Sequence, residues 1–288
     1  MRIGLVIAMS LLSLAGRAAP GQGGTLEAFP SKLLERKVRI AVHVPSEASV
    51  SRWDAAHPGW KPRLVLFLNG AYDGPEDLLK QGIYADLAAR EEAGALPPSL
   101  WVAPEHFMTW YADRKDGKFP YERFLVDELI PAMERAHPGY GGSKEARSIA
   151  GLSMGAFGAL NLSARTGAFA RCAALSPALV EAPFKSAGFW VRGSLKKAFP
   201  LDPEAFAPWN PWRHPGDGAE LVLGCGSEDR YGLARVTAVF AQKCAEAGHP
   251  PVATLYAPGN HDWGFWTPAF EELAPWLAGD APPTRLSP

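Results

Sequence analysis

Ser148-Ile149-Ala150-Gly151-Leu152-Ser153-Met154-Gly155-Ala156-Phe157-Gly158-Ala159-Leu160 is the stretch of sequence on which the fold turns. An apolar run ends at Leu152 and a helical pattern opens at Met154. Between them Gly151 to Gly155 fits G-x-S-x-G, the spacing of a sharp strand-to-helix turn that lifts a serine oxygen clear of the backbone. The pentapeptide alone is common. Its weight comes from the strand before it and the helix after it, the setting that this turn requires.

Outward from that turn, short β-rich runs alternate with longer helical patterns, which predicts one α/β domain over residues 37–279, with helices on both faces of a mostly parallel sheet. Val38 to Val44 alternates like an edge strand, whereas Leu64 to Leu68 is continuously apolar, as a central strand buried on both sides should be. Leu100 to Ala103, Ser148 to Leu152, Leu221 to Gly224 and Val252 to Tyr256 read as further strands. Helices are expected over 77–92, 121–136, 154–165, 231–247 and 268–277. Between Pro177 and Gly218 the periodicity fails while Phe184, Phe189, Trp190, Phe199, Phe206, Trp209 and Trp212 accumulate. That stretch predicts an irregular, lid-like excursion, since long loops often cover active sites. Residues 20–36 read as an extension before the domain and 280–288 as a tail.

Composition narrows the function. The 288 residues carry 29 Lys+Arg against 30 Asp+Glu, so the chain offers no concentrated positive field for a nucleic acid partner. Met1 and Arg2, an apolar run from Ile3 to Leu14, and Ala15-Gly16-Arg17-Ala18-Ala19 have the three-part form of a cleavable signal peptide. The apolar run is too short to span a bilayer, so no stable membrane anchor is expected. Removing residues 1–19 takes away Arg2 and Arg17 and moves the formal charge from −1 to −3. With three cysteines, Cys172, Cys225 and Cys244, the fold must be held by its core. Cys225 and Cys244 are candidates either for a disulfide or for two buried thiols. Asn161-Leu162-Ser163 matches a glycosylation sequon, but it falls on the helix after the turn and is expected to be unmodified.

A serine hydroxyl needs a base to take its proton, and histidine titrates in the right range. Of the seven histidines, His261 stands after the last strand and before the last helix, in Pro258-Gly259-Asn260-His261-Asp262-Trp263. His57, His137, His214 and His249 each precede a proline in a loop, and His43 sits on a strand. His106 follows a strand end but comes before the serine. The acid that orients the imidazole belongs between serine and histidine in chain order. Gly224-Cys225-Gly226-Ser227-Glu228-Asp229 provides it as Asp229, with Glu228 as the alternative and Asp262 read as a turn or cap residue. An oxyanion formed on attack needs two preorganised N–H donors. Met154 supplies one, and Ala71 in Leu68-Asn69-Gly70-Ala71-Tyr72 is the candidate for the other, with Gly70 letting the chain turn tightly. No His/Cys/Asp cluster has metal-ligand spacing, so no metal or cofactor is expected.

These residues resemble the putative esterase family of α/β-hydrolases, which includes esterase D (S-formylglutathione hydrolase), feruloyl and acetyl esterases, enterochelin esterases and mycolyltransferases. The resemblance runs from about Val38 to Leu277. It is carried by Leu68-Asn69-Gly70-Ala71, Trp110-Tyr111-Ala112-Asp113, Tyr121-Glu122-Arg123-Phe124, Glu128-Leu129-Ile130-Pro131, the Gly151 to Gly155 turn, Cys225 to Asp229, and Gly259 to Trp266. It implies an α/β-hydrolase fold, a Ser153, Asp229 and His261 triad, and oxyanion amides at Ala71 and Met154. Two positions depart from the pattern: Ala156 stands where a second glycine is common, and Asn69 where histidine or aspartate is frequent.

The function expected is a secreted or periplasmic serine carboxylesterase acting on a small-molecule or carbohydrate-linked ester through an acyl-enzyme. Tyr72, Trp110 and Trp263 are candidate substrate contacts. The alternatives are an acyltransferase of mycolyltransferase type and a non-catalytic carbohydrate- or partner-binding module using the Trp-rich excursion. Expressed with its leader in a Gram-negative host, the chain should accumulate in the periplasm with its mature N-terminus following Ala19; N-terminal sequencing that found Met1 retained would exclude cleavage.

Overall fold

The computed structural model describes residues 23–182, 184 and 188–285; the leader read at residues 1–19 lies outside them. Among the described residues eight strands form one sheet: β1 (Thr25–Ser31), β2 (Arg36–His43), β3 (Arg63–Leu68), β4 (Ser99–Pro104), β5 (Arg147–Leu152), β6 (Arg171–Leu175), β7 (Glu220–Gly226) and β8 (Ala253–Ala257). Their order is β1-β2-β4-β3-β5-β6-β7-β8. β1 and β2 pair antiparallel, as do β2 and β4, and the remaining pairs are parallel.

Between the strands run α1 (Glu47–Ala56), α2 (Asp77–Lys80), α3 (Ile83–Glu92), α4 (Tyr121–Arg123), α5 (Ile130–Ala136), α6 (Met154–Thr166), α7 (Phe189–Ala198), α8 (Pro203–Phe206), α9 (Leu233–Glu246) and α10 (Trp263–Ala278). Alternation within the strands divides the core in two. On β3, Leu64, Leu66 and Leu68 face one cluster with Phe124 of the α4–α5 segment, Phe157 of α6 and Phe240 of α9. Val65 and Phe67 face the other, with Ile83, Tyr84 and Leu87 of α3 and Phe270, Leu273 and Leu277 of α10. Both faces of the parallel strands are therefore dry, which is why these strands read as unbroken apolar runs.

The structure departs from the sequence reading in several places. Residues 20–36, expected as an extension, contain β1, which pairs with β2 from Thr25↔Val42 to Ser31↔Arg36, so β1 and not β2 is the edge. Pro30 and the polar residues of β1 suit an edge and hide its strand character. Glu128 holds that hairpin's turn: its Oε2 accepts from the Ser31 hydroxyl at 2.6 Å and its Oε1 from the Lys32 amide at 2.6 Å. The helix expected over 77–92 is broken by Gly82 at φ 76°. The helix over 121–136 contains a π-helical segment at Phe124–Leu129, immediately before Pro131, which has no N–H to donate. α10 starts at Trp263 rather than Pro268, because Asp262 caps it through the Gly264 amide at 3.1 Å.

Residues 177–218, expected as an irregular excursion, carry α7 and α8. Phe184, Phe199 and Phe206 are buried in the core, with Phe206 at 5.0 Å from Phe184 and 5.2 Å from Phe199 between ring centroids. These aromatics pack against one another, where the binding-module alternative would display them to a ligand. All three cysteines are free and buried, and burial pushes each thiol up to about 12. Asn161 and Ser163 of the sequon are buried in α6.

His43 and Glu91 form a fully buried pair. His43 Nε2 lies 2.9 Å from Glu91 Oε2, its Nδ1 bonds to the Gly23 carbonyl, and Glu91 Oε1 accepts from the Ser99 amide at 3.0 Å. One carboxylate thus ties α3 to β2 and β4. Glu91→Ala leaves the His43 Nε2 and the Ser99 amide unpaired in the interior and should cost about 3 kcal/mol in urea unfolding; a loss below about 1 kcal/mol would mean that the pair is structurally idle.

Candidate active site

The site forms where the sheet changes direction. β4 lies on one side of β3 and β5 on the other, and loops at the carboxyl ends of adjacent strands diverge there to leave a crevice. Ser153 stands at the end of β5 with φ 54° and ψ −114°, a conformation that residues other than glycine seldom adopt. The elbow is held by its backbone. The Ser153 amide donates to Leu175 at the end of β6 at 2.9 Å, and its carbonyl accepts from Phe157 at 3.2 Å and Ala178 at 3.1 Å. α6 passes so close to β3 that a Cβ on Gly155 would lie 1.9 Å from the Leu68 carbonyl oxygen.

The three expected side chains meet. His261 Nε2 lies 3.0 Å from Ser153 Oγ, and His261 Nδ1 lies 2.7 Å from Asp229 Oδ2. Glu228, the alternative acid, is exposed, whereas Asp229 is buried and turned to the imidazole. The other oxygen of Asp229 accepts from the Tyr231 amide at 2.9 Å and, longer, from Leu233 at 3.5 Å. Burial alone would raise this carboxyl, but the bond to His261, its charge and the two amides outweigh burial and hold it below the usual carboxylate range. It is therefore ionised at neutral pH, as a group that orients an imidazole and balances its positive form must be.

The imidazole is also held edge-on between two rings. Tyr231 lies 4.8 Å away at 86° and Trp266 4.9 Å away at 80°, and Trp266 Nε1 donates to the buried Ser176 hydroxyl at 3.2 Å. Asn260 Oδ1 accepts from the His261 amide at 2.8 Å and the Arg230 amide at 2.9 Å, fastening the histidine loop to the acid loop. Asp262 pairs with Arg230 at 3.1 Å and caps α10, the role expected of it. Sequence reasoning missed Tyr231, Trp266 and Asn260 as parts of the site. The signal available for Trp266 is its position one turn into a helix that begins two residues after the histidine.

The Met154 amide opens α6 and has no carbonyl four residues back to bind. The Ala71 amide lies in the turn that follows β3, closed by a bond from the Asp73 amide to the Gly70 carbonyl at 3.3 Å. A Cβ on Gly70 would lie 2.6 Å from Leu152 Cδ1 and 3.6 Å from Ser153 Cβ, so this turn passes close beside the serine.

The three candidate substrate contacts part ways. Tyr72 is 81% exposed beside Ala71. Trp110 is buried against Phe157 at 5.2 Å and 90°, with Nε1 donating to Ser194 Oγ at 2.9 Å; it belongs to the core beneath the site and offers no surface to a ligand. Trp263 is half-buried and its indole N–H is committed to Asp73 Oδ1 at 2.9 Å. His106 is buried too, with Nε2 donating to the Asp73 carbonyl at 2.8 Å, outside the triad. Among the described residues no three ligating side chains converge on a metal position, and no helix is long and apolar enough to cross a membrane. A cavity of about 500 Å³ lined by Arg63, Arg171, Glu220 and His249 opens at the amino ends of β3, β6 and β7, away from Ser153.

A family model described as Putative esterase matches residues 31–277. The chain belongs to that esterase family. No curated protein matches the esterase in sequence. Among solved structures, it is similar to a ferulic acid esterase, with 22% identity, a TM-score of 0.65 and cover of 88% of this chain and 97% of the other. It is similar also to FphF, a fluorophosphonate-binding serine hydrolase of Staphylococcus aureus, with 16% identity, a TM-score of 0.70 and cover of 89% and 99%. MPT51 of Mycobacterium tuberculosis is a third likeness, with 17% identity, a TM-score of 0.66 and cover of 91% and 99%. These likenesses give the esterase the α/β-hydrolase fold that its motifs implied.

Gly155→Ala drives a methyl group into the β3 backbone, which cannot rotate away as a side chain can. It should cost about 2 kcal/mol or more and shift the elbow; a melting temperature equal to that of the unaltered esterase would contradict so close an approach of α6 to β3.

Proposed function

We propose that this esterase is a secreted or periplasmic serine carboxylesterase working through an acyl-enzyme. The observation that carries the reading is the unbroken hydrogen-bonded line from Ser153 Oγ through His261 to Asp229, at 3.0 Å and 2.7 Å. In the first half-reaction Ser153 Oγ attacks the ester carbonyl carbon while His261 Nε2 takes its proton. The resulting oxyanion is met by the amides of Ala71 and Met154, each donor being worth roughly 3 kcal/mol of transition-state stabilisation. The tetrahedral intermediate collapses, the carbon–oxygen bond to the alcohol breaks, and the imidazolium returns its proton to the leaving alkoxide.

In the second half-reaction water takes the alcohol's place. His261 removes one of its protons, the hydroxide adds to the acyl carbon, and collapse releases the carboxylic acid and restores the serine. Asp229 carries negative charge throughout, which favours the imidazolium in both halves and holds Nδ1–H so that Nε2 faces the serine. Ser153 and His261 are both partly exposed, so water can reach the acyl carbon, as this half-reaction requires.

Ser153→Ala should reduce hydrolysis of p-nitrophenyl acetate and butyrate to background while melting is unchanged, and Asp229→Asn should lower kcat by about four orders of magnitude. A fluorophosphonate should label Ser153 in the unaltered protein. Turnover retained by Ser153→Ala would overturn the proposal.

A further inference from the structure

The loop that carries the Ala71 amide is tied down at both ends. At its start the Tyr111 hydroxyl donates to the Asn69 carbonyl at 2.8 Å. At its end two bonds converge on Asp73: His106 Nε2 donates to the backbone carbonyl at 2.8 Å and Trp263 Nε1 donates to Oδ1 at 2.9 Å. The Met108 amide donates to His106 Nδ1 at 2.9 Å, so that nitrogen carries no proton and the other must be the donor to Asp73. Burial lowers the His106 pKa and favours this neutral form.

The tie from Trp263 differs from the others in where it comes from. Tyr111 and His106 belong to the segment after β4, whereas Trp263 stands two residues beyond His261, on the first turn of α10. Among the described residues the Trp263–Asp73 bond is the one hydrogen bond that joins the histidine segment to the Ala71 loop. The two halves of the site, one presenting the base after β8 and the other an oxyanion amide after β3, are linked there.

We propose that Asp73 and Trp263 are positioning residues whose hydrogen bond sets the Ala71 amide in register with Ser153 and His261. Asp73 is suited to this by its place as well as its partner: a Cβ on Gly70 would lie 2.6 Å from Asp73 Oδ2, so the carboxylate lies along the turn whose geometry it fixes. The site asks for such a device because an amide displaced by about 1 Å from a developing oxyanion can lose a hundredfold in rate. The role concerns the transition state and not ground-state binding, so it should appear in kcat and leave KM alone.

The inference rests on the acyl-enzyme reading, and the test separates the two. Hydrolysis of p-nitrophenyl butyrate and the rate of fluorophosphonate labelling are measured for the full chain and for W263F, D73A, D73N and the double variant W263F/D73A. W263F keeps an aromatic ring and removes the donor; it should lower kcat and the labelling rate by tenfold or more, about the effect of a displaced donor, with KM within about threefold. D73A should lose as much, and the double variant no more than either single change, because both remove one and the same bond. D73N keeps an oxygen acceptor for the indole and should retain most of the rate.

Single losses that multiply in the double variant, D73N as impaired as D73A, or kcat unchanged in both W263F and D73A would overturn the positioning role while leaving the acyl-enzyme intact. An unaltered protein that neither turned over esters nor labelled at Ser153 would instead overturn the acyl-enzyme reading and this one with it. Should W263F fail to fold by circular dichroism, the contrast between D73A and D73N decides alone.

Discussion

A serine held at φ 54° between a buried strand and a buried helix stores backbone strain of order 1–3 kcal/mol, and the surroundings must hold it there. The restraint comes from both directions. β6 takes the Ser153 amide through Leu175, the segment after β6 gives back an N–H from Ala178, and α6 closes over β3 at Gly155. Because β5 and β6 are in register from Ser148↔Arg171 to Leu152↔Leu175, the strand that anchors the elbow is also the one that fixes how far β5 projects. The position of the nucleophile is therefore a property of the sheet.

Strain gathers in a second place, the segment after β4. Phe107, Met108, Trp110 and Tyr111 all have positive φ, between 49° and 59°. The reversals turn successive side chains in different directions: Trp110 goes down against Phe157, and Tyr111 reaches across to the Asn69 carbonyl. The Thr109 side chain holds the segment, its hydroxyl donating to the His106 carbonyl at 2.7 Å and accepting from the Tyr111 amide at 3.2 Å. Both strained segments end on the Ala71 loop or on the serine beside it. Five of the eight described residues other than glycine with positive φ lie in these two segments; Glu35, Ser176 and Phe184 are the others.

How much of this is legible in the sequence depends on whether the controlling interaction is local. β3, β5 and the elbow read clearly because their burial on both faces and their glycines are written in consecutive residues. His261 and Asp229 are legible through chain order together with their places just after strands, which leave Glu228 as an alternative acid. β6, Arg171-Cys172-Ala173-Ala174-Leu175, goes unread because alanines carry little strand preference and the register with β5 and β7 supplies what they lack. Trp110 misleads for the converse reason: an aromatic in a loop reads as displayed, but the positive φ at residues 107, 108, 110 and 111 that turns it inward leaves no mark in a pattern of hydrophobicity. Asn260 and Trp266 are invisible as supports because each acts on a residue brought near by a different loop, Arg230 in one case and Ser176 in the other.

The choice of Asp229 over its neighbour Glu228 shows how the acid's place is decided. β7 alternates sides, and its last residues carry Cys225 inward, with its thiol 3.7 Å from Asp229 Oδ2 and from the Ser176 hydroxyl. Four residues after Cys225 the chain turns back, closed by bonds from the Asp229 amide to Gly226 at 3.2 Å and from the Gly232 amide to Asp229 at 2.9 Å. A side chain at 229 then faces the imidazole with backbone amides at its other oxygen, whereas one at 228 faces solvent. Buried without those amides, a carboxylate would take up a proton more readily and lose the charge that balances the imidazolium. The turn therefore does two things at once, aiming one carboxylate and supplying the donors that keep it charged. The thiol of Cys225, itself kept protonated by burial, closes the apolar side behind it without adding a competing charge.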